Sequence, residues 1–138
     1  MIFGTQISVK LSGAASGGTH AIMELVTPAR SGPPMHLHER EDQTFYVLEG
    51  QYRFELDGKR IPAGPGSAVY VPRGTAHAFR NNGNAPGRML VIVQPAGLED
   101  LFEELAEAGE GEREPTMSVV IPILRKYRTA LLGLPLEA

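Results

Sequence analysis

Apolar and polar residues alternate in short runs from about residue 5 to residue 95. Alternation with a period of two is typical of β-strands that bury one face. Turn-forming residues separate the runs, and Asp57-Gly58 between two runs is a strong signal for a two-residue hairpin. The predicted strands fall at 7–11, 20–27, 44–48, 52–56, 69–71, 76–80 and 88–93. Many short strands at this spacing favour an antiparallel sandwich or barrel.

The period changes to that of a helix after residue 97. Apolar residues at helical spacing and acidic residues on the opposite side predict a helix from Leu98 to Ala108, with Gly109 as its stop and a loop over 109–115. A second amphipathic stretch carries Val120, Ile123, Leu124, Tyr127 and Leu131. Because proline is best tolerated in a first turn, we expect this helix to begin near Pro122. We therefore expect residues 1–97 to form one β-domain, a sandwich or barrel, and residues 98–138 a helical extension packed on it.

The composition narrows the classes of protein. The chain of 138 residues is 42% hydrophobic, which suits one domain with a packed core. It has no cysteine, so a disulfide scaffold, a zinc ribbon and a cysteine nucleophile are excluded. No apolar run is long enough to span a membrane and no signal peptide is visible, so we expect a cytoplasmic protein without a membrane partner.

The charges do not indicate a nucleic-acid partner. The net charge is -3, with +2 over residues 1–97 and -5 over residues 98–138. Lysine and arginine are neither abundant nor clustered, as they would be on a nucleic-acid-binding face.

The candidate chemistry lies in the histidines. His36 and His38 are separated by one residue, and residues two apart on a strand point to the same face. Two imidazoles on one face can converge on a first-row divalent metal ion, although two surface histidines would give the same pattern. A third histidine, His77, follows a run of turn residues further along the chain.

Two motifs resemble the signatures of the cupin superfamily. The second motif, G(X)5PXG(X)2H(X)3N, is met at each fixed position by Gly66, Pro72, Gly74, His77 and Asn81. The first motif, G(X)5HXH(X)3–4E(X)6G, is met by three of its residues: His36, His38 and Gly50. It is broken twice, because Arg30 replaces the first glycine and Gln43 replaces the glutamate.

The resemblance extends over residues 20–135 to small single-domain cupins similar to quercetin 2,3-dioxygenases. It implies a mainly β fold, a jelly-roll-like barrel of two sheets, with two short C-terminal helices here. It also implies one divalent transition-metal ion per chain (Fe, Mn, Ni, Co, Cu or Zn), a small-molecule substrate and a homodimer. The implied metal ligands are His36, His38, Gln43 and His77.

Strand parity suggests which side chains could wall a pocket beside this site. If His77 faces inward, Phe79 does so too. The other candidates are aromatic or apolar residues of two predicted strands, where ordinary core packing is an equal alternative: Phe45, Val47, Tyr52 and Phe54. A dry cavity with few polar groups is the usual form of a small-molecule site.

Other polar residues have simpler interpretations. Glu41 would be an alternative oxygen ligand in a shifted register, although Gln43 has the family spacing. His20 fits neither motif and is interpreted as structural, and Arg30 as a surface residue that could alternatively meet an anionic substrate.

Glutamine at position 43 leaves several functions open. It keeps a carbonyl oxygen but removes a negative charge and a possible general base. We favour an oxidoreductase of the dioxygenase type that acts on a small enol, diketone or phenol. A metal-dependent isomerase or lyase would need an acid or base, for which the candidates are Tyr46, Tyr52, Tyr70 and Glu24. The third alternative is a non-catalytic module that binds a small molecule.

Overall fold

The computed structural model describes residues 2–109 and 113–138. This part of the chain contains ten strands and three helices. The strands are β1 (Gln6–Leu11), β2 (Ala21–Thr27), β3 (Pro34–His38), β4 (Asp42–Glu49), β5 (Tyr52–Leu56), β6 (Lys59–Ala63), β7 (Ala68–Val71), β8 (His77–Asn81), β9 (Gly87–Gln94) and β10 (Thr129–Pro135). The helices are α1 (Gly13–Ser16), α2 (Leu98–Ala108) and α3 (Met117–Lys126).

The strands form two antiparallel five-stranded sheets. One has the order β1-β2-β9-β4-β7 and the other the order β10-β3-β8-β5-β6. Alternate residues of β2, β4 and β9 are buried, so one face of the first sheet packs inward against the second. The shared core includes Met23, Phe54 and Val91, which are almost completely shielded from solvent. The predicted mainly β fold with two short C-terminal helices is confirmed.

The predicted hairpin at Asp57-Gly58 joins β5 to β6. Both residues have positive φ angles, 47° and 81°, as a two-residue turn between twisted strands requires. The register then pairs Phe54 with Ile61 and Leu56 with Lys59. The predicted helix stop at Gly109 is also found, since α2 ends at Ala108. Residues 110–112 of the predicted loop lie outside the described residues.

The prediction for the second C-terminal helix was wrong at both ends. Helix α3 begins at Met117. The backbone at Thr116 is extended, and its carbonyl oxygen accepts hydrogen bonds from the N–H groups of Val119 and Val120. These bonds form the first turn of the helix before Pro122. The helix ends at Lys126, and Arg128 takes a positive φ of 53° that no helix continues through.

The closing segment is a strand rather than the end of a helix. Strand β10 pairs antiparallel with β3 and lies at the edge of the second sheet. The domain boundary near residue 97, between a barrel and a helical extension, stays a prediction. The residues after it include β10, which is a strand of the second sheet. In the described residues no helix is long and apolar enough to cross a membrane.

Helices α2 and α3 lie against each other, α2 also contacts β2 of the first sheet, and α3 contacts β10 of the second sheet. Their buried side chains include Leu101, Leu105, Val120 and Leu124, all of which belong to the main hydrophobic core. Burying a leucine side chain contributes about 1.5–3 kcal/mol, so these contacts hold both helices in place. The helices thereby close one side of the interior that the histidines face.

Candidate metal centre

Strands β3 and β8 bring the three candidate histidines together. His36 and His38 lie on one face of β3, and His36 is the cross-strand partner of His77 at the start of β8. One ring nitrogen from each histidine lies within 4.8 Å of the corresponding atoms of the other two. The ring centroids of His36 and His77 are 4.3 Å apart, and those of His36 and His38 are 5.0 Å apart. Three imidazoles so arranged could hold a metal ion.

Each histidine makes a hydrogen bond through Nδ1. His36 Nδ1 lies 2.7 Å from the carbonyl oxygen of Pro34, and His77 Nδ1 lies 2.9 Å from that of Thr75. His38 Nδ1 lies 2.8 Å from the hydroxyl of Thr129 on β10. A carbonyl oxygen only accepts, so Nδ1 carries the hydrogen in His36 and His77. The Nε2 lone pairs of these two rings are therefore available to a metal.

The surroundings keep the three rings uncharged. Burial, together with the neighbouring His77, lowers the pKa of His36 to about 3. Burial is also the main cause that lowers the pKa of His38 and of His77. The three imidazoles are thus neutral at neutral pH, which is the form that ligates metals.

Two of the four candidate ligands carry a buried polar atom that lacks a hydrogen-bond partner among the described residues. These atoms are His77 Nε2 and Gln43 Oε1. Leaving a buried acceptor unpaired costs about 1–3 kcal/mol. A divalent ion would satisfy both atoms, and the set of three imidazoles and one amide oxygen suits a first-row transition metal. The residues present therefore fit the metal that the fold implies.

The other motif residues shape the backbone around the cluster. Gly74, with a φ of 76°, donates its N–H to the carbonyl of His38 at 2.7 Å, which ties the second motif to the histidine strand. Asn81 is fully buried, and its amide group donates to the carbonyls of Thr27 and Ala85. Asn81 thus holds the neighbouring loops in place rather than positioning a candidate metal ligand.

Arg30, which replaces the first glycine of the first motif, keeps the backbone conformation that a glycine would favour. Its φ is 54°, in the left-handed region. Its guanidinium donates to Asn84 Oδ1 at 3.0 Å in an exposed position, and the residue does not line the cavity described next. The departure from the motif therefore costs local strain but leaves the turn intact.

An apolar cavity of about 70 Å³ adjoins the histidines. None of the described residues around it carries a charged side chain. The lining residues are Ile2, Phe3, Thr5, Ile7, Leu25, Pro33, Pro34, His36, His38, Gln43, Phe45, Phe79, Val91, Leu101, Phe102, Leu105, Leu124, Thr129 and Leu131. The polar side chains are thus confined to two threonines and three of the four candidate ligands, since His77 is not among the lining residues.

Of the five residues predicted to wall a pocket, two line the cavity and three do not. Phe45 and Phe79 line the cavity, with ring centroids 5.8 Å apart. Val47, Tyr52 and Phe54 are buried in the core but do not line it. For Tyr52 and Phe54 the reason is strand order: the second sheet lines the cavity with β10, β3 and β8, and β5 lies on the other side of β8. Parity predicts which face of a sheet a residue occupies and gives no information about which strands border the cavity.

The candidate acids and bases of the isomerase hypothesis do not line the cavity. Tyr46 and Tyr70 are exposed on the outer face of the first sheet, at 42% and 55%. Glu24 alternates with the buried residues of β2 and faces outward. Glu41 is buried near Glu99, where burial raises its pKa, and it is not part of the histidine cluster. His20 is also outside the cluster.

Two features of the site were missed at the level of sequence. Thr129 reaches His38 across 91 positions of sequence, and nothing in the local pattern marks this threonine. Leu101, Phe102 and Leu124 of the C-terminal helices line the cavity. The amphipathic spacing of these residues could have indicated that the helices cover an apolar surface, although not which surface.

A family model for the cupin domain matches residues 22–93, which is just over half of the chain. This chain is a cupin. The match includes all four implied ligands and ends before the C-terminal helices and β10. The family assignment thus explains the barrel and the histidine cluster but does not extend to the segment that carries Thr129.

Characterised cupins with different roles resemble this one. Quercetin 2,3-dioxygenase of Bacillus subtilis (strain 168) is 35% identical over 80 residues, which are 58% of this chain and 23% of that protein. The oxalate-binding protein of Thermotoga maritima is 30% identical over 66 residues, 48% of this chain and 54% of that protein. The match therefore spans about a quarter of the length of the quercetin dioxygenase and about half of the length of the oxalate-binding protein.

One solved structure adds a third role. The polyketide cyclase RemF from Streptomyces resistomycificus superposes with a TM-score of 0.58 at 27% identity, covering 66% of this chain and 65% of that one. The three similar proteins are named as a dioxygenase, an oxalate-binding protein and a polyketide cyclase, and all of them resemble this cupin. Fold alone does not select among these functions, so the selection depends on the site.

Proposed function

We propose that this cupin binds one divalent transition-metal ion through His36, His38, Gln43 and His77. We further propose that it is an oxidoreductase of the dioxygenase type whose substrate is a small enol, diketone or phenol. When bound, such an ion would act as a Lewis acid toward an enolate or phenolate oxygen. Dioxygen would supply the oxidant and both oxygen atoms, so no separate reductant is needed.

The observation that carries this proposal is the neutral, apolar cavity beside the donor set. The described lining residues carry no Asp, Glu, Lys or Arg side chain to pair with a charged substrate. The divalent ion would balance one anionic oxygen of a substrate, but a second carboxylate or a phosphate away from the ion would be unpaired there and would cost several kcal/mol. A mostly apolar molecule with one or two oxygen donors suits these walls better than a sugar phosphate or a dicarboxylate.

The side chains of the cavity have separate tasks in this proposal. Phe45 and Phe79 orient a flat substrate, and Leu101 and Phe102 of α2 exclude bulk water. Gln43 accepts hydrogen bonds or holds the metal, but its amide cannot remove a proton from the substrate. We therefore expect preferred substrates that ionise easily, with 1,3-diketones turned over faster than simple phenols.

Oxygen uptake tests the proposal. The untagged protein, loaded separately with Fe²⁺, Mn²⁺, Ni²⁺, Co²⁺, Cu²⁺ or Zn²⁺, is mixed with a panel of diketones, enols and phenols in an oxygen-electrode cell. We expect substrate-dependent uptake with a redox-active ion, none with Zn²⁺, and none from dicarboxylates. Absence of uptake with every redox-active ion and every compound would overturn the dioxygenase proposal.

A non-catalytic binding function is the second candidate. It is favoured by the absence of any carboxylate among the described residues that line the cavity, since the hydroxyls of Thr5 and Thr129 are poor general bases. Tight binding of a diketone without turnover or oxygen uptake would support it. Proton exchange on the substrate without oxygen uptake would instead support the isomerase or lyase.

We also propose that the outer face of the first sheet pairs with a second copy of the chain. Tyr46 and Tyr70 are exposed diagonal neighbours on this face, since Tyr46 pairs with Ala68 and Thr44 pairs with Tyr70. Further apolar side chains lie between polar ones on the same face: Ile22, Val26, Leu48, Leu90 and Ile92. Exposed aromatic groups of this kind are common anchors of interfaces.

Sedimentation tests this dimer. We expect the double variant Tyr46→Lys/Tyr70→Lys to sediment as a monomer at a concentration where the wild type is a dimer. Leu134→Lys changes a residue that is 84% exposed on the other sheet and should remain dimeric. A monomeric wild type, or a dimer that only Leu134→Lys disrupts, would contradict the proposed face.

A further inference from the structure

The hydroxyl of Thr129 occupies a buried position behind the histidine cluster. Thr129 is 5% exposed and His38 is 4% exposed, and Thr129 Oγ1 lies 2.8 Å from His38 Nδ1. This contact is shorter than most neutral N–H···O hydrogen bonds. It joins a strand near the C-terminus to the strand that carries two of the candidate ligands.

The three histidines differ in what fixes their orientation. His36 and His77 donate from Nδ1 to carbonyls two residues earlier in the chain, at Pro34 and Thr75, so the local backbone determines their tautomer. His38 has a hydroxyl as its partner, and a hydroxyl can either accept from Nδ1 or donate to it. The tautomer of His38 therefore depends on where the hydroxyl hydrogen of Thr129 points.

A backbone carbonyl offers that hydrogen an acceptor other than His38. Thr129 Oγ1 lies 3.5 Å from the carbonyl oxygen of Tyr127, which only accepts. With its hydrogen turned toward Tyr127, the Thr129 hydroxyl accepts the Nδ1 hydrogen of His38. The Nε2 lone pair of His38 then faces the cluster, as those of His36 and His77 do.

Pairing between β10 and β3 keeps the hydroxyl in place. Thr129 is the cross-strand partner of His38, Leu131 is the partner of His36, and the N–H of Glu39 donates to the carbonyl of Arg128 at 3.1 Å. Beyond the strand, Arg80 and Arg53 donate to the carbonyls of residues 136 and 137. The C-terminal segment is thus fixed at both ends of its contact with β3.

We propose that Thr129 is a positioning residue of the metal centre, which sets the tautomer and ring orientation of His38 through the C-terminal strand. This inference rests on the proposed metal site. The cupin family model does not match the segment after residue 128. Under this proposal, that segment contributes to the metal site. Hydrogen-bond partners of this kind change metal affinity by roughly 10- to 100-fold.

Cobalt binding tests the proposal in the intact chain of 138 residues. Thr129→Val removes the hydroxyl but keeps the branched shape, and Thr129→Ser keeps the hydroxyl. Thr27→Val is the matched control, because Thr27 is also buried and its hydroxyl makes no hydrogen bond to a histidine among the described residues. Binding of Co²⁺ is followed by its visible absorption and by titration against a competing chelator.

We expect Thr129→Val to weaken Co²⁺ binding roughly 10- to 100-fold and to alter the visible spectrum. Thr129→Ser should restore both to near wild type, and Thr27→Val should change neither. Unchanged affinity and spectrum in Thr129→Val would overturn the proposal. So would an equal loss of affinity in Thr27→Val, since that loss would reflect packing alone.

The tautomer of His38 gives a second measurement that needs no metal and no variant. In the apo wild type, ¹⁵N-detected NMR of the ring nitrogens should show the hydrogen of His38 on Nδ1. A hydrogen on Nε2 would overturn the inference even if Thr129→Val failed to fold. If the wild type bound no Co²⁺ but kept this tautomer, the proposed metal site would fail while the role of Thr129 in orienting the ring stood.

Discussion

Replacing His77 with alanine is expected to remove the metal from this cupin. The wild type should retain close to one divalent ion per chain, and His77→Ala should retain almost none. His77 is 1% exposed, and its Nε2 has no hydrogen-bond partner among the described residues, so a metal ion would be its natural partner. Loss of one imidazole of three also leaves His36 and His38 on a single strand with no ligand from β8.

Elemental mass spectrometry of untagged protein measures this effect. His20→Ala is the control, because His20 lies outside the cluster and its ring hydrogen-bonds only the neighbouring Thr19 among the described residues. We expect His20→Ala to keep the metal content of the wild type. Equal metal content in His77→Ala and the wild type would show that the ion lies elsewhere, and the proposed ligand set would be wrong.

Much of the candidate site followed from local sequence because its geometry is set by local rules. His36 and His38 share a face because strand side chains alternate, and the second motif ends in a strand that begins at His77. The turn at Gly74 that hydrogen-bonds His38 needs a positive φ, which the glycine in the motif supplies. Those constraints lie within a few residues of each other and therefore leave a readable pattern.

The parts that were not predictable depend on strand order and on contacts across the chain. Phe54 and Tyr52 do not line the cavity because β5 lies on the far side of β8 from β3 and β10, and no property of β5 alone reveals that strand order. The hydrophobic spacing that extends to Leu131 fits a helix, yet Arg128 turns the chain and β3 offers an unpaired edge for residues 129–135. Pairing with that edge outweighed the local helical preference.

The substitution Gln43→Glu is expected to strengthen metal binding and to destabilise the metal-free protein. Gln43 is 4% exposed, and its Oε1 has no hydrogen-bond partner among the described residues. A carboxylate at this position would add one negative charge beside a divalent ion in an apolar environment. After the cost of desolvation, we expect roughly a 100-fold gain in affinity for Co²⁺.

Without metal, the same carboxylate would be buried beside neutral imidazoles with no cation to balance it. An uncompensated buried charge costs about 3–5 kcal/mol, so apo Gln43→Glu should melt well below the apo wild type. Metal should then raise the melting temperature of the variant by more than it raises that of the wild type. Differential scanning calorimetry with and without Co²⁺ measures both shifts.

A matched substitution separates the charge from the location. Gln51→Glu makes the same chemical change at an exposed residue between β4 and β5 and should affect neither metal affinity nor the metal-dependent shift in melting temperature. If Gln43→Glu behaved like Gln51→Glu, residue 43 would not face the ion. If it bound metal more tightly and also raised oxygen uptake with weakly acidic phenols, the neutral amide would be what restricts the wild type to substrates that ionise easily.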